Sequence, residues 1–446
     1  MPVCPLEYRY GREEMKRIFS EEAKLQAMLD VEAALVRALA KAGRVPAFAA
    51  KTISAKAKTS IVKVERVSAI EREISHDIMA VVRGLSEQCG GAGGYVHLGA
   101  TSNDIIDTAT ALQLKAAMKI LEKDCMDLRD TLLALAARHK RTPMVGRTHG
   151  QFAVPVTFGL KMAVFAMEMD RHAKRLSEAE PRVCVGKLAG AVGTGAALGK
   201  DALKVQDLLM RELGLEAEEA ATQLVGRDRY AEFVMLCANI AASIERFGTE
   251  VRNLQRSEIG EVAEAFNAKK QVGSSTMAHK RNPITSENVC GLARVVRGFV
   301  SPALENIVSW HERDLTNSSA ERFILPHVAI LTDDIVVKTD KVFRGLEVFP
   351  ERMRANIESA GGLMMAESVM IALTSKGMGR QDAHEATRQA AMLAVDKGIL
   401  YREALLRNPK IKRLLPAKEL DKVLDPTSYI GSSVEIVERA LKVKGK

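Results

Sequence analysis

Leu121, Cys125, Leu128, Leu132, Leu135 and His139 step along the chain by four, three, four, three and four residues. The same spacing joins Phe158, Met162, Phe165, Met169, His172 and Leu176, with Pro155 near the start and Pro181 expected beyond the end. A third run, Phe233, Cys237, Ile240, Ile244, Phe247, Val251 and Leu254, repeats it. An apolar position about every 3.5 residues lines one stripe of an α-helix. Heptads on separate long segments predict helices packed side by side at crossing angles of about 20°. The expected fold class is all-α, an elongated central bundle of long helices. His139 and His172 lie on the apolar stripes, where a packed histidine is expected rather than a catalyst.

Glycine-rich stretches punctuate the pattern. GGAGG at 90–94 precedes the short apolar piece Tyr95-Val96-His97-Leu98, and a second loose stretch runs from Gly190 to Gly195. A third, NAKKQVGSST at 267–276, lies between two strong helical patterns and reads as a mobile loop. After Pro350, Gly361-Gly362 and Gly377-Met378-Gly379 bracket shorter amphipathic helices that run to about Leu441. Boundaries near 105 and 350 divide the chain into an N-terminal helical domain (1–105), a central long-helix bundle (106–350) and a C-terminal helical domain (351–446).

Composition narrows the class further. Hydrophobic residues make up 47% of the 446, with only 13 prolines, which excludes a disordered or collagen-like chain. No run of apolar residues is long enough and free enough of charge for a transmembrane helix. The start lacks the basic-then-apolar pattern of a secretory signal, so a soluble, cytoplasmic protein is expected. The six cysteines are scattered without metal-ligand spacing, which predicts free buried thiols and no zinc site. Aromatics are 4% and basic residues never form a block, so neither a stacking platform nor a basic nucleic-acid arm is present. The net charge of +9 permits anionic partners, although a solvated basic surface accounts for it.

Four polar clusters interrupt the heptads. In the first, Val96 to Asp104, one residue of Thr101-Ser102-Asn103-Asp104 suffices to cap the following helix. Four polar groups after a histidine and a glycine leave both the capping and the functional reading open. The second, Gly146-Arg147-Thr148-His149-Gly150-Gln151, lies between Pro143 and Pro155 and reads as a turn between helices. A turn needs glycine or proline, not Arg, Thr, His and Gln together, and His149 stands off every apolar stripe, where an imidazole can do acid–base work. The third, Gly273 to Pro283, offers two serines followed by Lys280 and Arg281, a hydroxyl-plus-cation array suited to carboxylates. A Walker phosphate loop is its rival, but GxxxxGK[ST] is absent and no strand precedes. The fourth, Arg313 to Arg322, is a polar break before a helix expected to start near Pro326. Ser318 and Ser319 explain a cap there; two arginines nine residues apart are not needed for one.

Gly273 to Pro283 resembles the GSSxMxxKxN signature of the aspartase/fumarase superfamily, whose members eliminate fumarate or a relative from a succinyl-type substrate. Within it, GRTHGQ at 146–151 resembles the adenylosuccinate lyase family; fumarases, aspartases and argininosuccinate lyases usually place Leu where Gly150 stands. Further pieces follow in order: Arg9-Tyr10, His76-Asp77, Thr101-Ser102, Thr222-Gln223 before Arg227-Asp228-Arg229, and Ser318-Ser319-Ala320-Glu321-Arg322. The resemblance runs from about residue 8 into the C-terminal domain. It departs at Ser75, often basic in the family; at Phe152, where a second histidine is common; at Gly226, usually glutamine; and at Ala278, commonly proline. None of these removes a group expected to move protons.

The resemblance implies β-elimination of fumarate from a succinylated purine nucleotide or its ribotide precursor, with no metal and no organic cofactor. It implies Ser274 as the base and His149 as the acid for the leaving nitrogen. Thr101, Ser102, Ser275, Lys280 and Asn282 would hold the succinyl carboxylates, and Arg9, Tyr10, Arg313, Ser318 and Arg322 the phosphoribosyl end. Ser75, His76, Asp77, His97 and Gln223 would complete the pocket. It also implies a homotetramer with sites shared between chains, and neither nucleic acid nor membrane as partner. Argininosuccinate lyase and carboxymuconate cycloisomerase are the rivals within the superfamily, and a non-catalytic helical scaffold is the rival outside it.

Overall fold

The computed structural model describes residues 3–266, 277 and 280–445. The long helices are Ser102–Arg138 (37 residues), Phe158–Val183 (26), Asp228–Leu254 (27) and Thr316–Arg344 (29). Apart from the two histidines, every residue of the three heptad runs is buried as a core hydrophobic. His172 is buried too, its Nε2 2.8 Å from Ser243 Oγ. His139, one residue past its helix, packs edge-on to Phe158 with ring centroids 5.5 Å apart. The chain is all-α apart from three two-stranded ladders among the described residues.

Two helix boundaries differ from the sequence reading. Thr316–Arg344 begins ten residues before Pro326 and contains it, and Phe158–Val183 contains Pro181. A proline inside a helix removes one backbone hydrogen bond and crowds the carbonyl four residues back. At Pro326 the apolar seam continues across the interruption, with Ile324, Leu325, Val328 and Ala329 all buried, so packing keeps the helix whole. Pro181 falls in the last turn, where little helix remains to be lost.

A third difference concerns GRTHGQ, which joins no two helices directly. Pro143–Thr148 and Gln151–Thr157 pair as an antiparallel hairpin, with Val145 opposite Pro155. In a two-stranded ladder both strands are edges, so a proline is accommodated. The other ladders are short: Val185–Gly186 with Glu216–Ala217, parallel, and Val262–Ala263 with Glu347–Val348, antiparallel.

The residues group into two compact units. One comprises Met1–Met126, Arg171–Glu245 and Val289–Val337; the other comprises Asp127–Asp170, Arg246–Asn288 and Lys338–Lys446. In the first, the Glu21–Lys41 helix is capped by Ser20, whose Oγ accepts from the Ala23 N–H at 3.2 Å, and it buries Leu25, Leu29, Val36 and Leu39. Arg12 ties two long helices of this unit, reaching the Asp333 carboxylate at 3.0 Å and Asp124 at 2.6 Å. In the second, Phe165 stacks on Phe247 at 4.2 Å, and Phe343 meets both edge-on. Val369, Leu373, Tyr401, Leu405, Ile411 and Leu420 form a further core there. A long helix begins at Ser102 and the first of the short C-terminal helices at Pro350. Five of the six free cysteines are buried and Cys4 is half-buried. Among the described residues no single helix is long and apolar enough to cross a membrane. Segment 267–276, expected as a mobile loop, lies outside the described residues.

The three-ring cluster generates a prediction. Phe247→Ala removes two of the three ring contacts and should destabilise the protein by about 3–5 kcal/mol. The measurement is the shift in urea midpoint, with an unchanged slope showing that only stability moved.

Candidate active site

The hairpin explains how His149 is displayed. Thr148 pairs with Gln151, so His149 and Gly150 are the two loop residues, with φ of 55° and 76°. Two-residue loops with both φ positive match the twist of the flanking strands. Glycine adopts that conformation freely, whereas histidine does so at about 1–2 kcal/mol. The exposed imidazole therefore stands at the tip of a strained turn. Below it, the strand irregularity between Val145 and Arg147 depends on Gly146, where a Cβ would sit 2.3 Å from the Val154 carbonyl oxygen. Arg147 forks onto the buried Glu261 at 2.9 and 3.0 Å, and Asn356 donates to the same carboxylate at 2.9 Å. Within GRTHGQ, then, Arg147 fastens the hairpin and His149 is presented.

His149, Lys280 and Asn282 belong to the second unit. Lys280 is exposed, and its N–H bonds the Met277 carbonyl at 3.1 Å. Just beyond, Glu264 caps the Ile284–Gly298 helix by accepting from the N–H groups of Thr285 at 3.1 Å and Ser286 at 2.6 Å. Ser274 and Ser275 lie outside the described residues.

The first unit holds the remaining candidates. His97 (φ 64°) opens the first polar cluster. Its backbone N–H bonds Glu32 Oε2 at 3.1 Å and its Nδ1 lies 2.6 Å from Glu32 Oε1. Burial pulls the His97 pKa down, but the hydrogen bond and charge of Glu32, with the charge of Asp104, outweigh it and the net shift is upward. A few residues on, Asp104 reaches back to the Thr101 N–H at 2.8 Å, the return bond of a capping box. It also accepts from the N–H groups of Ala189 at 3.0 Å and Gly190 at 3.1 Å, and pairs with Lys187; both side chains are 0% exposed. Among the described residues the cap thus comes from Asp104 rather than from Thr101 or Ser102.

Ser75 (φ 53°) ends the Val64–Ile74 helix and His76 caps the next, its Nδ1 accepting from the Met79 N–H at 3.3 Å. An accepting Nδ1 carries no proton, so the ring proton sits on Nε2. Asp77 accepts from Arg322 at 3.0 Å, which brings two candidates from distant sequence together. Lys24, which no motif marked, shares this neighbourhood: burial and the Arg322 charge lower its pKa, against Asp77 and two glutamates. Gln223 donates to the Ala191 carbonyl at 2.8 Å and accepts from Arg313. Ser318 and Arg322 lie in the first turns of Thr316–Arg344 rather than in a loop. Arg9 lies over the Tyr10 ring, 5.8 Å from its centroid. Sequence reasoning missed Glu32, Lys24 and Lys187. Among the described residues no His, Cys, Asp and Glu cluster could hold a metal ion.

The lyase family model matches residues 7–298, and the model of the adenylosuccinate lyase C-terminus matches 362–440. Adenylosuccinate lyase of Pyrococcus abyssi is 52% identical over 99% of this chain and 98% of its own length. That of Methanocaldococcus jannaschii is 48% identical over 99% and 96%. Among solved structures, a fumarate lyase from Mesorhizobium sp. BNC1 superposes with a TM-score of 0.91 at 34% identity, covering 99% of this chain and 100% of that one. The 3-carboxy-cis,cis-muconate lactonizing enzyme of Pseudomonas putida gives 0.89 at 36%, covering 97% of each. The chain belongs to the adenylosuccinate lyase family.

Asp104 also generates a prediction. Asp104→Asn leaves Lys187 buried without its counter-charge and should cost about 3–5 kcal/mol in urea unfolding. Asp104→Asn combined with Lys187→Met should recover most of that loss, since the stranded charge goes with it.

Proposed function

We infer that the protein releases fumarate from adenylosuccinate, leaving AMP, and from the succinylated aminoimidazole carboxamide ribotide of purine nucleotide biosynthesis. Identity of 48–52% to curated adenylosuccinate lyases along almost the whole chain carries this reading. The solved neighbours named for other reactions stand at 34–36%. Gly150, the Ser318–Arg322 run and Gln223 support the same choice within the superfamily.

The reaction needs a base for a weakly acidic C–H, an acid for the departing nitrogen, and donors for the dianion that forms between them. Ser274 takes the proton, its poor basicity raised by Lys280 and by exclusion of water. His149 protonates the leaving nitrogen; an imidazole changes charge near neutral pH, and the hairpin tip carries it clear of the sheet. Thr101, Ser102, Ser275, Lys280 and Asn282 hold the succinyl carboxylates. Arg9, Tyr10, Arg313, Ser318 and Arg322 hold the phosphoribosyl end, with Ser75, His76, Asp77, His97 and Gln223 completing the pocket. No step calls for a metal or organic cofactor. The enzyme works in the cytoplasm as a homotetramer, each pocket shared between chains. Its three consecutive stretches, 1–105, 106–350 and 351–446, divide into N-terminal, bundle and C-terminal domains.

The purified protein should release fumarate from adenylosuccinate in the presence of chelator, and Ser274→Ala should abolish turnover while binding stays within about tenfold. Activity on argininosuccinate but none on adenylosuccinate would sink the reading. Shared pockets follow from helix length: thirty residues span about 45 Å, too far for one chain to gather every cluster easily. His149→Ala and Ser274→Ala proteins, each inactive, should therefore regain about a quarter of the sites when unfolded, mixed and refolded together. No recovery from demonstrably mixed oligomers would place both residues in one chain's pocket.

A further inference from the structure

Glu32 lies in the middle of the Glu21–Lys41 helix and is 1% exposed. A carboxylate taken out of water is costly unless its oxygens are filled by donors. Both of its oxygens are engaged by one residue: Oε2 by the His97 backbone N–H at 3.1 Å and Oε1 by the His97 ring at 2.6 Å. The residue so gripped has φ of 64°, which a side chain other than glycine adopts at about 1–2 kcal/mol. An ionised carboxylate only accepts, so the ring contact requires a proton on His97 Nδ1. Nε2 is then the ring atom left to meet a ligand.

We propose that Glu32 is a positioning residue for catalysis: it holds His97 in its strained turn and fixes the proton on Nδ1, so that Nε2 faces the anionic substrate as a donor. The proposal rests on the functional reading above for the substrate, and on geometry alone for the pair. The charged groups around His97 agree with it. Glu32 comes from one helix and Asp104 from the start of another; both raise the imidazole pKa against burial, while Lys187 is spent on Asp104. The ring therefore keeps its positive charge to higher pH than a free imidazole.

The test is nitrogen-15 NMR of histidine-labelled protein across pH, with His97 identified by its loss in His97→Gln. In the unaltered protein Nδ1 should stay protonated throughout and Nε2 should be the atom that titrates, above about 6.5. Loss of the Nδ1 proton first would overturn the proposal without any Glu32 variant. Glu32→Gln keeps the shape and a hydrogen-bond acceptor but removes the charge, so it should lower the His97 titration by about one pH unit or more. On adenylosuccinate, the alkaline limb of kcat/KM should move to lower pH by the same amount. At pH above that limb, KM should rise about tenfold, with kcat changed far less. In a His97→Gln background, Glu32→Gln should add no further change in KM. An unmoved titration, or loss of kcat at constant KM, would overturn the positioning role. If the unaltered protein released no fumarate from adenylosuccinate, the functional reading would fall with the substrate half of this proposal, and the Nδ1 result would still decide the pair.

Discussion

Apolar seams fill most of the interior of the long helices, and the candidate site groups among the described residues stand at helix ends and in the turns between elements. The ends impose their own demand, because the first N–H groups and last carbonyls of every helix need partners. Here polar side chains meet that demand: the buried Asp104 at the start of Ser102–Arg138, the buried Glu264 at Ile284–Gly298, and the exposed His76 at Asp77–Ser86. Each cap stands within a few residues of candidate site groups. Thr101 and Ser102 share a turn with Asp104, Asn282 precedes the helix that Glu264 caps, and Asp77 follows His76. At these three helix starts, capping groups and candidate groups occupy the same turns.

Backbone strain follows the same places. Four residues other than glycine have positive φ among those described: Ser75, His97, His149 and His311. Three are candidates, and each is held by a specific neighbour. The Ser75 N–H bonds the Glu71 carbonyl at 2.7 Å, Glu32 grips His97, and a strand pair fixes the turn at His149. His311 shares the geometry and sits in an exposed segment with no assigned role, so strain alone does not mark a site.

The bundle was legible because heptads repeat over many residues and a long pattern averages out local exceptions. The hairpin was not, because two short strands containing a proline look like any interrupted loop, and only the pairing reveals them. Helix starts read from proline came out wrong at Pro326, since packing on both sides outweighs one lost hydrogen bond. The motifs marked presented groups such as His149, and they passed over the residues that hold those groups. Glu32 did leave a signal. Leu25, Leu29, Glu32, Val36 and Leu39 step by four, three, four and three, so the glutamate occupies a seam position where an apolar residue belongs. A charge on a heptad seam demands a buried partner, and that demand is visible before any partner is known. Lys187 left no such trace, because it follows a two-residue strand with no period to break.

The arginines divide by what fills their forks, and the division matters for a chain of net charge +9. Arg12, Arg147 and Arg227 each face carboxylates: the buried Asp333 and Asp124, the buried Glu261, and the buried Asp107 with the half-buried Glu321 respectively. A guanidinium so matched joins helices or fastens a hairpin, but its charge is neutralised locally and offers little to an anion. Arg313 and Arg9 are placed differently, the first against the neutral amide of Gln223 and the second over the Tyr10 ring. Arg322 meets one Asp77 oxygen and remains exposed. Among the described residues these three guanidinium groups are less fully matched by carboxylates than the forks of Arg12, Arg147 and Arg227. The motifs contain arginines of both kinds, Arg147 and Arg227 as well as Arg9, Arg313 and Arg322, and only the partner of each fork separates those matched within the frame from the rest.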